Sequence, residues 1–385
     1  MDIVKIKEVS TQVRGVSYKP ENVSEILKEG YVEILRANNI TDNGVKFSDT
    51  LFVDQKCVSE HQLLKVGDVL IAASSGSKHI VGKASTIDRK INNTSFGAFC
   101  KVIRPNEKIH HKYLGFYFKS NGYRTKISAL SEGANINNIR NENLDDLEIP
   151  LPPLSTQKAI AEKLDKADAL RKKDKELLAQ YDELAQAIFI DMFGDPVRNE
   201  RGWKTHKAKT IFNFSSGKFN PTKNLDASYA FPTYGGNGIT GFSSSYLIDF
   251  PTIVIGRVGA YCGSIHITDE KSWITDNAIY IKRIPKEVNL VFLYFFLRNY
   301  KLNRFADYSG QPKITQKPLE DIDFFIVDIN LQNQFAEKIK NIEAQKAIVR
   351  QQAQQSEDLF QALLQESFNF NQTQHEKPQT ALSGA

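Results

Sequence analysis

Residues 144–193 of the chain return, in altered form and without a gap, at residues 319–368. An offset of 175 lays Ala161-Glu162-Lys163-Leu164 on Ala336-Glu337-Lys338-Ile339 and pairs Leu144 with Leu319, Asp146 with Asp321 and Gln157 with Gln332. The same offset goes on to pair Leu184 with Leu359, Gln186 with Gln361, Ala187 with Ala362 and Phe193 with Phe368. A register held this long marks a duplicated structural unit, so the chain reads as two copies of one module.

The duplicated stretch has helical periodicity. Ile160, Ala167, Asp174, Tyr181 and Ile188 recur every seven residues in the first copy, with Leu170, Leu177 and Leu184 on a second seam. Phe335, Ile342, Val349, Ser356 and Leu363 take the first seam in the second copy. The pattern predicts two amphipathic helices, roughly Ser155–Met192 and Leu331–Ser367, each with one stripe that needs a partner. The obvious partner for each is the other copy. Leu147-Glu148-Ile149-Pro150-Leu151-Pro152-Pro153-Leu154 leads into the first helix and cannot be helical itself. Phe193-Gly194-Asp195-Pro196 ends it, because Gly can cap in the left-handed region and Pro cannot continue a helix. Val327-Asp328-Ile329-Asn330 lacks the prolines of the first lead, which predicts a less sharply bent start for the second helix.

The regions before and between the helices are different in kind. Short β-type runs such as Val69-Leu70-Ile71 and Thr252-Ile253-Val254-Ile255 are broken by Gly, Ser and Asn turns. A fainter repeat pairs Tyr113-Leu114-Gly115-Phe116-Tyr117-Phe118-Lys119 with Phe292-Leu293-Tyr294-Phe295-Phe296-Leu297-Arg298, each an aromatic, helix-like stretch. The remainder of the two regions scarcely aligns. The arrangement expected from the residues is globular part, helix, globular part, helix: similar helices alternating with divergent globular parts.

At 385 residues and 41% hydrophobic content the chain can bury two or three cores. Apolar runs are too short for a transmembrane helix and the N-terminus lacks a signal-peptide core, so a cytoplasmic location without membrane association is expected. Cys57, Cys100 and Cys262 are widely spaced, as unpaired thiols in a reducing compartment are, and offer no zinc motif. A formal charge of +5 and a pI near 8.8 suit a polyanionic partner without identifying one. The polar tail from Asn371 to Ala385 is expected to be disordered.

Motifs that suggest catalysis lack their context. Gly236-Asn237-Gly238-Ile239-Thr240-Gly241 matches the dinucleotide pattern, but no helix opens inside it, so a tight or flexible turn is expected. Asn220-Pro221-Thr222-Lys223 lacks the second proline and the aromatic residue of the motif that holds a flipped base. It is read as a turn. His110-His111 has no HExxH partner and is read as surface, and no phosphate-binding GK[ST] loop is present. What remains are loops suited to reading a polyanion. Ser75, Lys78, His79 and Lys83 lie in the first globular part, and Tyr234, Gly235, Gly236, Asn237, Arg257 and Tyr261 in the second. Small residues let backbone approach phosphate, while Asn, Arg and Lys form directional bonds to base edges.

Ile149-Pro150-Leu151-Pro152-Pro153-Leu154 with Gln157 and Ala161-Glu162-Lys163-Leu164, a long helix ending at Phe193-Gly194-Asp195, and Leu331-Gln332-Asn333-Gln334-Phe335-Ala336-Glu337 together resemble the specificity subunit of type I restriction-modification enzymes. Tyr234-Gly235-Gly236-Asn237 and Ile255-Gly256-Arg257-Val258-Gly259 add to the resemblance, which covers nearly the whole chain. It implies a non-catalytic subunit of α+β fold, with two globular α/β target-recognition domains at 1–150 and 196–328 separated by two long antiparallel coiled-coil helices in a pseudo-two-fold internal repeat. Its helices, at 151–195 and 329–370, would hold the domains apart and dock methyltransferase subunits. The resemblance further implies that double-stranded DNA is read as two half-sites, that two methyltransferase subunits and the restriction subunits are partners, and that S-adenosylmethionine, ATP and Mg belong to those partners, with no cofactor in this chain. Read from the residues alone, a coiled-coil adaptor that binds protein or glycan remains an alternative. A self-sufficient nuclease or methyltransferase is disfavoured, because the sequence has neither a metal-binding carboxylate cluster nor a cofactor motif.

Overall fold

The computed structural model describes residues 2–77, 79–132 and 138–368; the tail from Asn371, expected to be disordered, lies outside them. The chain divides into two units, residues 1–175 with 351–385 and residues 176–350. Each unit therefore contains one globular part and a segment of both long helices.

The helices run Leu154–Phe193 and Ile329–Phe368, 40 residues each, or ~60 Å at ~1.5 Å per residue. They exceed the lengths read from periodicity by a residue or two at each end, and both ends obey the offset of 175. So does what precedes them: the short helices Asn141–Asp145 and Gln316–Glu320 are equivalent, as are the strands Glu148–Leu151 and Asp323–Phe325. The absence of prolines at the second lead changes how the helix is capped, not where it begins. In the first copy the Pro153 carbonyl accepts from the amides of Thr156 and Gln157 at 2.9 and 3.0 Å. In the second, the Asp328 carbonyl accepts from Gln332 at 3.2 Å and its carboxylate accepts from the Asn330 amide at 2.9 Å.

The second of the two seven-residue seams needs correction. Leu170 and Leu184 are 48% and 47% exposed, and Leu177 is only half-buried. The first seam is buried at Ala167 and Asp174 and, in the second helix, at Phe335, Ile342, Val349 and Ser356; the other buried side chains are Gln157, Ala161, Leu164, Asp168, Arg171, Ala185, Phe189 and Phe193, and Gln332, Ile339, Lys346, Phe360, Leu364 and Phe368. The second seam therefore lies four residues after the first rather than three, at Leu164, Arg171 and Ala185 and at Ile339, Lys346 and Phe360. The cause is the lining of each face: every helix segment packs against a globular part as well as against a second helix.

Gln157 and Gln332, both fully buried, explain why glutamine is repeated. The Gln157 Oε1 accepts from the His110 amide at 2.8 Å, while its Nε2 donates to the carbonyls of Pro152 at 2.8 Å and Lys108 at 3.3 Å. Gln332 does the same with the Asn289 amide at 2.8 Å and the carbonyls of Val327 and Glu287 at 2.8 and 2.9 Å. In each unit, one amide side chain thus ties the start of the long helix to the start of an aromatic helix, His111–Tyr117 or Leu290–Tyr300. Those aromatic helices are the faint second repeat. They receive the last aromatic residue of a long helix: the rings of Tyr113 and Phe368 lie 5.0 Å apart, those of Phe292 and Phe193 4.8 Å.

A buried cation is also duplicated. Arg171, with 7% of its side chain exposed, pairs with Asp168 on its own helix at 2.5 Å and Glu357 on the other at 3.2 Å. Lys346, also 7% exposed, pairs with Glu343 on its own helix at 2.6 Å and Asp182 on the other at 2.8 Å. Each participant in one set has its counterpart of the same sign at the offset of 175. Burial alone would raise the Asp168 carboxyl, but Lys119, Arg171 and Lys172 outweigh it and hold it at about 2.

The globular parts, which scarcely align in sequence, share a topology. A four-stranded antiparallel sheet is ordered Ser10–Arg14, Cys100–Pro105, Val69–Ala72, Ala84–Thr86 in one and Phe214–Ser216, Ala278–Ile281, Ile253–Gly256, Ile265–Ile267 in the other. Beside it stands a second sheet built around a parallel pair, Tyr31–Leu35 with Thr94–Phe96, or Phe231–Gly235 with Trp273–Ile274. His110 and His111 are half-buried at the start of the aromatic helix, with rings 4.7 Å apart, rather than on the open surface. Burial lowers the proton affinity of both.

Replacing either buried glutamine by leucine strands an amide and two carbonyls. We expect Gln157→Leu and Gln332→Leu each to lower the unfolding free energy of the full chain by about 2–4 kcal/mol. The exposed control Gln180→Leu should fall within about 0.5 kcal/mol of the parent. Urea unfolding measures all three, and glutamine variants indistinguishable from the control would remove the latch from this account.

Candidate nucleic-acid interface

The residues expected to read a polyanion lie on loops at one end of the four-stranded sheet. In the unit of residues 176–350, Phe231–Gly235 and Gly238–Ser243 form a hairpin whose two-residue tip is Gly236-Asn237, with Gly238 at φ +86°. The glycine pattern is therefore a tight turn. Arg257 and Tyr261 lie on the loop joining Ile253–Gly256 to Ile265–Ile267.

Close backbone contact brings the tip and this loop together. A Cβ added to Gly256 would lie 2.2 Å from the Tyr261 carbonyl oxygen and 2.7 Å from that of Gly236, so only glycine fits. The Ser264 hydroxyl donates to the Gly236 carbonyl. Arg257 is held by its backbone: its amide donates to the Asn277 carbonyl at 2.9 Å, and its carbonyl accepts from the Ile314 amide at 2.8 Å. Its half-buried side chain has no hydrogen-bond or ion-pair partner among the described residues. Asn237 and Tyr261 are exposed, the latter by 53%. The structure thus assembles Gly235, Gly236, Asn237, Arg257 and Tyr261.

Tyr234 does not present its side chain there. It is 5% exposed, packs with Ile248, Val254, Ile274 and Tyr280, and places its hydroxyl 3.3 Å from Asp269. The alternation of a strand turns it inward, so it supports the tip from beneath.

The unit of residues 1–175 carries an equivalent loop between Val69–Ala72 and Ala84–Thr86. Ser75 is half-buried, its hydroxyl accepting from the Ser77 amide at 3.2 Å, and His79 is exposed. Lys78 lies outside the described residues. Lys83 sits at the base of the loop, with its ammonium 3.7 Å from Asp42, and is separated from the tip group. Here Ala73 occupies the place of Arg257: its amide donates to the Phe99 carbonyl at 2.9 Å and its carbonyl accepts from Ile139 at 2.7 Å. Ile139 and Ile314 are again 175 apart. One backbone frame therefore carries Ala73 and Phe99 in one unit and Arg257 and Asn277 in the other.

Sequence reasoning missed the exposed aromatics of this surface. Phe99 is 70% exposed two residues after Gly97, and Phe219 is 71% exposed two residues after Gly217. An aromatic residue set off by glycine outside any apolar period was the available signal. Tyr308 is also exposed, on a turn whose arm at Lys313 bridges Val258. Among the described residues, no three His, Cys, Asp or Glu side chains are grouped so as to hold a metal ion, and no helix is long and apolar enough to cross a membrane.

Loops of small, basic and aromatic residues on a duplicated frame agree with the comparisons to known proteins. The profile described as "Type I restriction modification DNA specificity domain" matches residues 1–180 and 200–357. The type I restriction enzyme EcoKI specificity subunit of Escherichia coli (strain K12) is 45% identical over 163 residues, covering 42% of this chain and 35% of that protein. The StySPI specificity subunit of Salmonella potsdam is 46% identical over 160 residues, covering 42% and 34%. The matched stretch is thus about a third of the length of these curated relatives. The crystal structure of a type I restriction-modification system S subunit from M. genitalium shares the fold, with a TM-score of 0.58 over 96% of both chains at 20% identity. With the family profile matched across most of its length, the chain belongs to the type I restriction modification DNA specificity family.

Proposed function

We propose that this chain is the non-catalytic DNA-reading subunit of a type I restriction-modification complex, each globular part reading one half of a bipartite duplex target. The observation that carries this reading is the shared backbone frame at Ala73 and Arg257, on which the side chains differ. Two different half-sites need one presentation and two sets of contacts. Lysines and arginines around the loops supply phosphate contacts, which position the protein and make affinity depend on salt. Arg257 and Asn237 suit base edges, where each good contact is worth ~1–3 kcal/mol of discrimination. Exposed Phe99, Phe219 and Tyr261 add apolar area against bases or sugars.

The repeated parts have the complementary task. Half-sites on one face of B-DNA have centres about one turn, ~34–36 Å, apart. Rigid helices of ~60 Å are long enough to act as the ruler for the unread spacer. Leu184 and Leu359, 175 apart and 47% and 48% exposed, form equivalent apolar positions suited to two copies of one methyltransferase subunit. Cofactor and nucleotide chemistry then belongs to the methyltransferase and restriction subunits.

Exchange of residues 196–328 for those of a related subunit should change one half of the methylated sequence and leave the other intact, read by mapping methylated adenines. A change in both halves would sink independent recognition. Adding four residues to each long helix should lengthen the spacer with both half-sites preserved; an unaltered spacer would reject the ruler. In the assembled methyltransferase complex, duplex affinity should fall steeply with salt, by about 10³-fold or more between 50 and 200 mM if six or more phosphates are neutralised. An affinity indifferent to salt would instead support an adaptor that binds no DNA.

A further inference from the structure

In the unit of residues 1–175 and 351–368, away from the loop tips, a cleft of about 400 Å³ opens beside the long helices. Lys83, Lys119, Arg124, Arg171 and Lys175 line it, against the carboxylates of Asp42 and Glu357. Asp168, which pairs with Lys119 at 3.2 Å and with Arg171, belongs to the same charge network. With Asp168 and its third partner Lys172 counted, six cations face three carboxylates. The surplus is not spread evenly. Arg171 and Lys175 share Glu357, and Lys83 reaches Asp42 at 3.7 Å, but among the described residues Arg124 has only the Val81 carbonyl, at 3.5 Å.

Donors are in surplus as well. The Nε of Arg171, in a residue 6% exposed, is buried without an acceptor among the described residues although both terminal nitrogens are engaged. Phe118 and Phe360 wall the cleft, and the Arg171 guanidinium lies 4.6 Å from the Phe360 ring centre. Apolar walls lower the local dielectric, which strengthens both the repulsion among the cations and their attraction for an anion.

The other unit repeats the arrangement in part. Arg298, Lys346 and Arg350 line its cleft together with Asp182 and Glu343, and in this unit Asn237 and Gly238 of the loop tip line it too. Lys346 and Arg350 lie 175 residues from Arg171 and Lys175, and Arg298, in the last turns of its aromatic helix, aligns with Lys119, two residues beyond the end of the other. Three cationic positions thus survive in copies whose globular parts have otherwise diverged. That copy has no counterparts of Arg124 and Lys83 in the cleft, so its surplus is smaller.

We propose that the cleft bounded by Lys119, Arg124, Arg171 and Lys175 binds a phosphate-type oxyanion, separately from the duplex-reading loops. A tetrahedral, multiply charged acceptor is the chemistry that would engage guanidinium and ammonium donors converging from helix and sheet. Inorganic phosphate and the phosphates of a free nucleotide share that chemistry. The site does not depend on the proposed reading of DNA, since none of these four residues lies on the loop tips.

Calorimetric titration of the full chain, with inorganic phosphate in one arm and ATP in the other at ionic strength held constant with chloride, tests the assignment. Saturable binding in the phosphate arm identifies a simple oxyanion site, and saturation by ATP alone identifies a polyphosphate. In either case Arg124→Met/Lys175→Met should weaken binding at least tenfold while duplex affinity stays within twofold of the parent. Arg124→Gln alone, which gives up one long contact to a carbonyl, should give a smaller loss in the same direction if the double variant folds poorly. No saturable heat in either arm, or unchanged binding in both variants, overturns the proposal. So does a parallel loss of duplex affinity, which would make the cleft part of the duplex interface.

Discussion

The middle of each long helix buries a positive charge, and most of the architecture depends on how that charge is neutralised. Taking an ammonium or guanidinium out of water costs several kcal/mol, and removing a partner from such a pair typically costs ~3–5 kcal/mol. Arg171 and Lys346 meet this cost with one acid three residues earlier on the same helix and another on the opposing helix. Apolar residues tolerate a slip along a helix seam, because one methyl contact resembles the next. A buried cation does not, since a shift of one turn takes the opposing carboxylate out of reach. The ion clusters therefore select a single register, and the surrounding apolar positions supply most of the burial energy once it is chosen.

The glutamine latches extend that choice into the globular parts. Gln157 and Gln332 each bond backbone groups of two segments, at 2.8 Å on both the amide and lead-in sides, so the angle between long helix and aromatic helix is fixed by hydrogen bonds. Phe193 and Phe368 then fill the space that this angle creates. Charge in the middle, amide at the start and ring at the end recur at one offset because each depends on the others.

Much of this frame was legible in the sequence, for an identifiable reason. The repeat fixed the helix ends to within one or two residues because caps and prolines are local signals. The first sevenfold seam held at Ala167, Asp174, Phe335, Ile342, Val349 and Ser356, whereas the second, at Leu170 and Leu184, fell one residue from the buried Arg171 and Ala185, because these helices also serve as walls of globular cores. The topology of the globular parts was not legible. Strands of three to six residues pair across long stretches of sequence, as Ser10–Arg14 does with Cys100–Pro105, and no local pattern reveals such a pairing. The candidate residues fared according to the same distinction. Arg257, Asn237 and Tyr261 converge because the glycines that permit close approach were visible. Tyr234 turns inward and Lys83 is paired at the loop base because strand phase and a distant aspartate decide their fate.

The frame at Ala73 and Arg257 shows how recognition can change while the fold stays constant. Both positions are anchored through amide and carbonyl groups that every residue except proline possesses, to partners that are themselves backbone atoms. Exchanging alanine for arginine there, or phenylalanine for asparagine opposite, leaves every one of those bonds in place. The side chains project from a position whose stability they do not determine. The long helices are under the opposite constraint, because their fixed features are side-chain contacts: Gln157 to two segments, Arg171 to two acids, Phe193 to an aromatic helix. Substitution there breaks the frame itself. Similar helices and dissimilar globular loops within one chain follow from where the structural bonds lie, in side chains for the first and in backbone for the second.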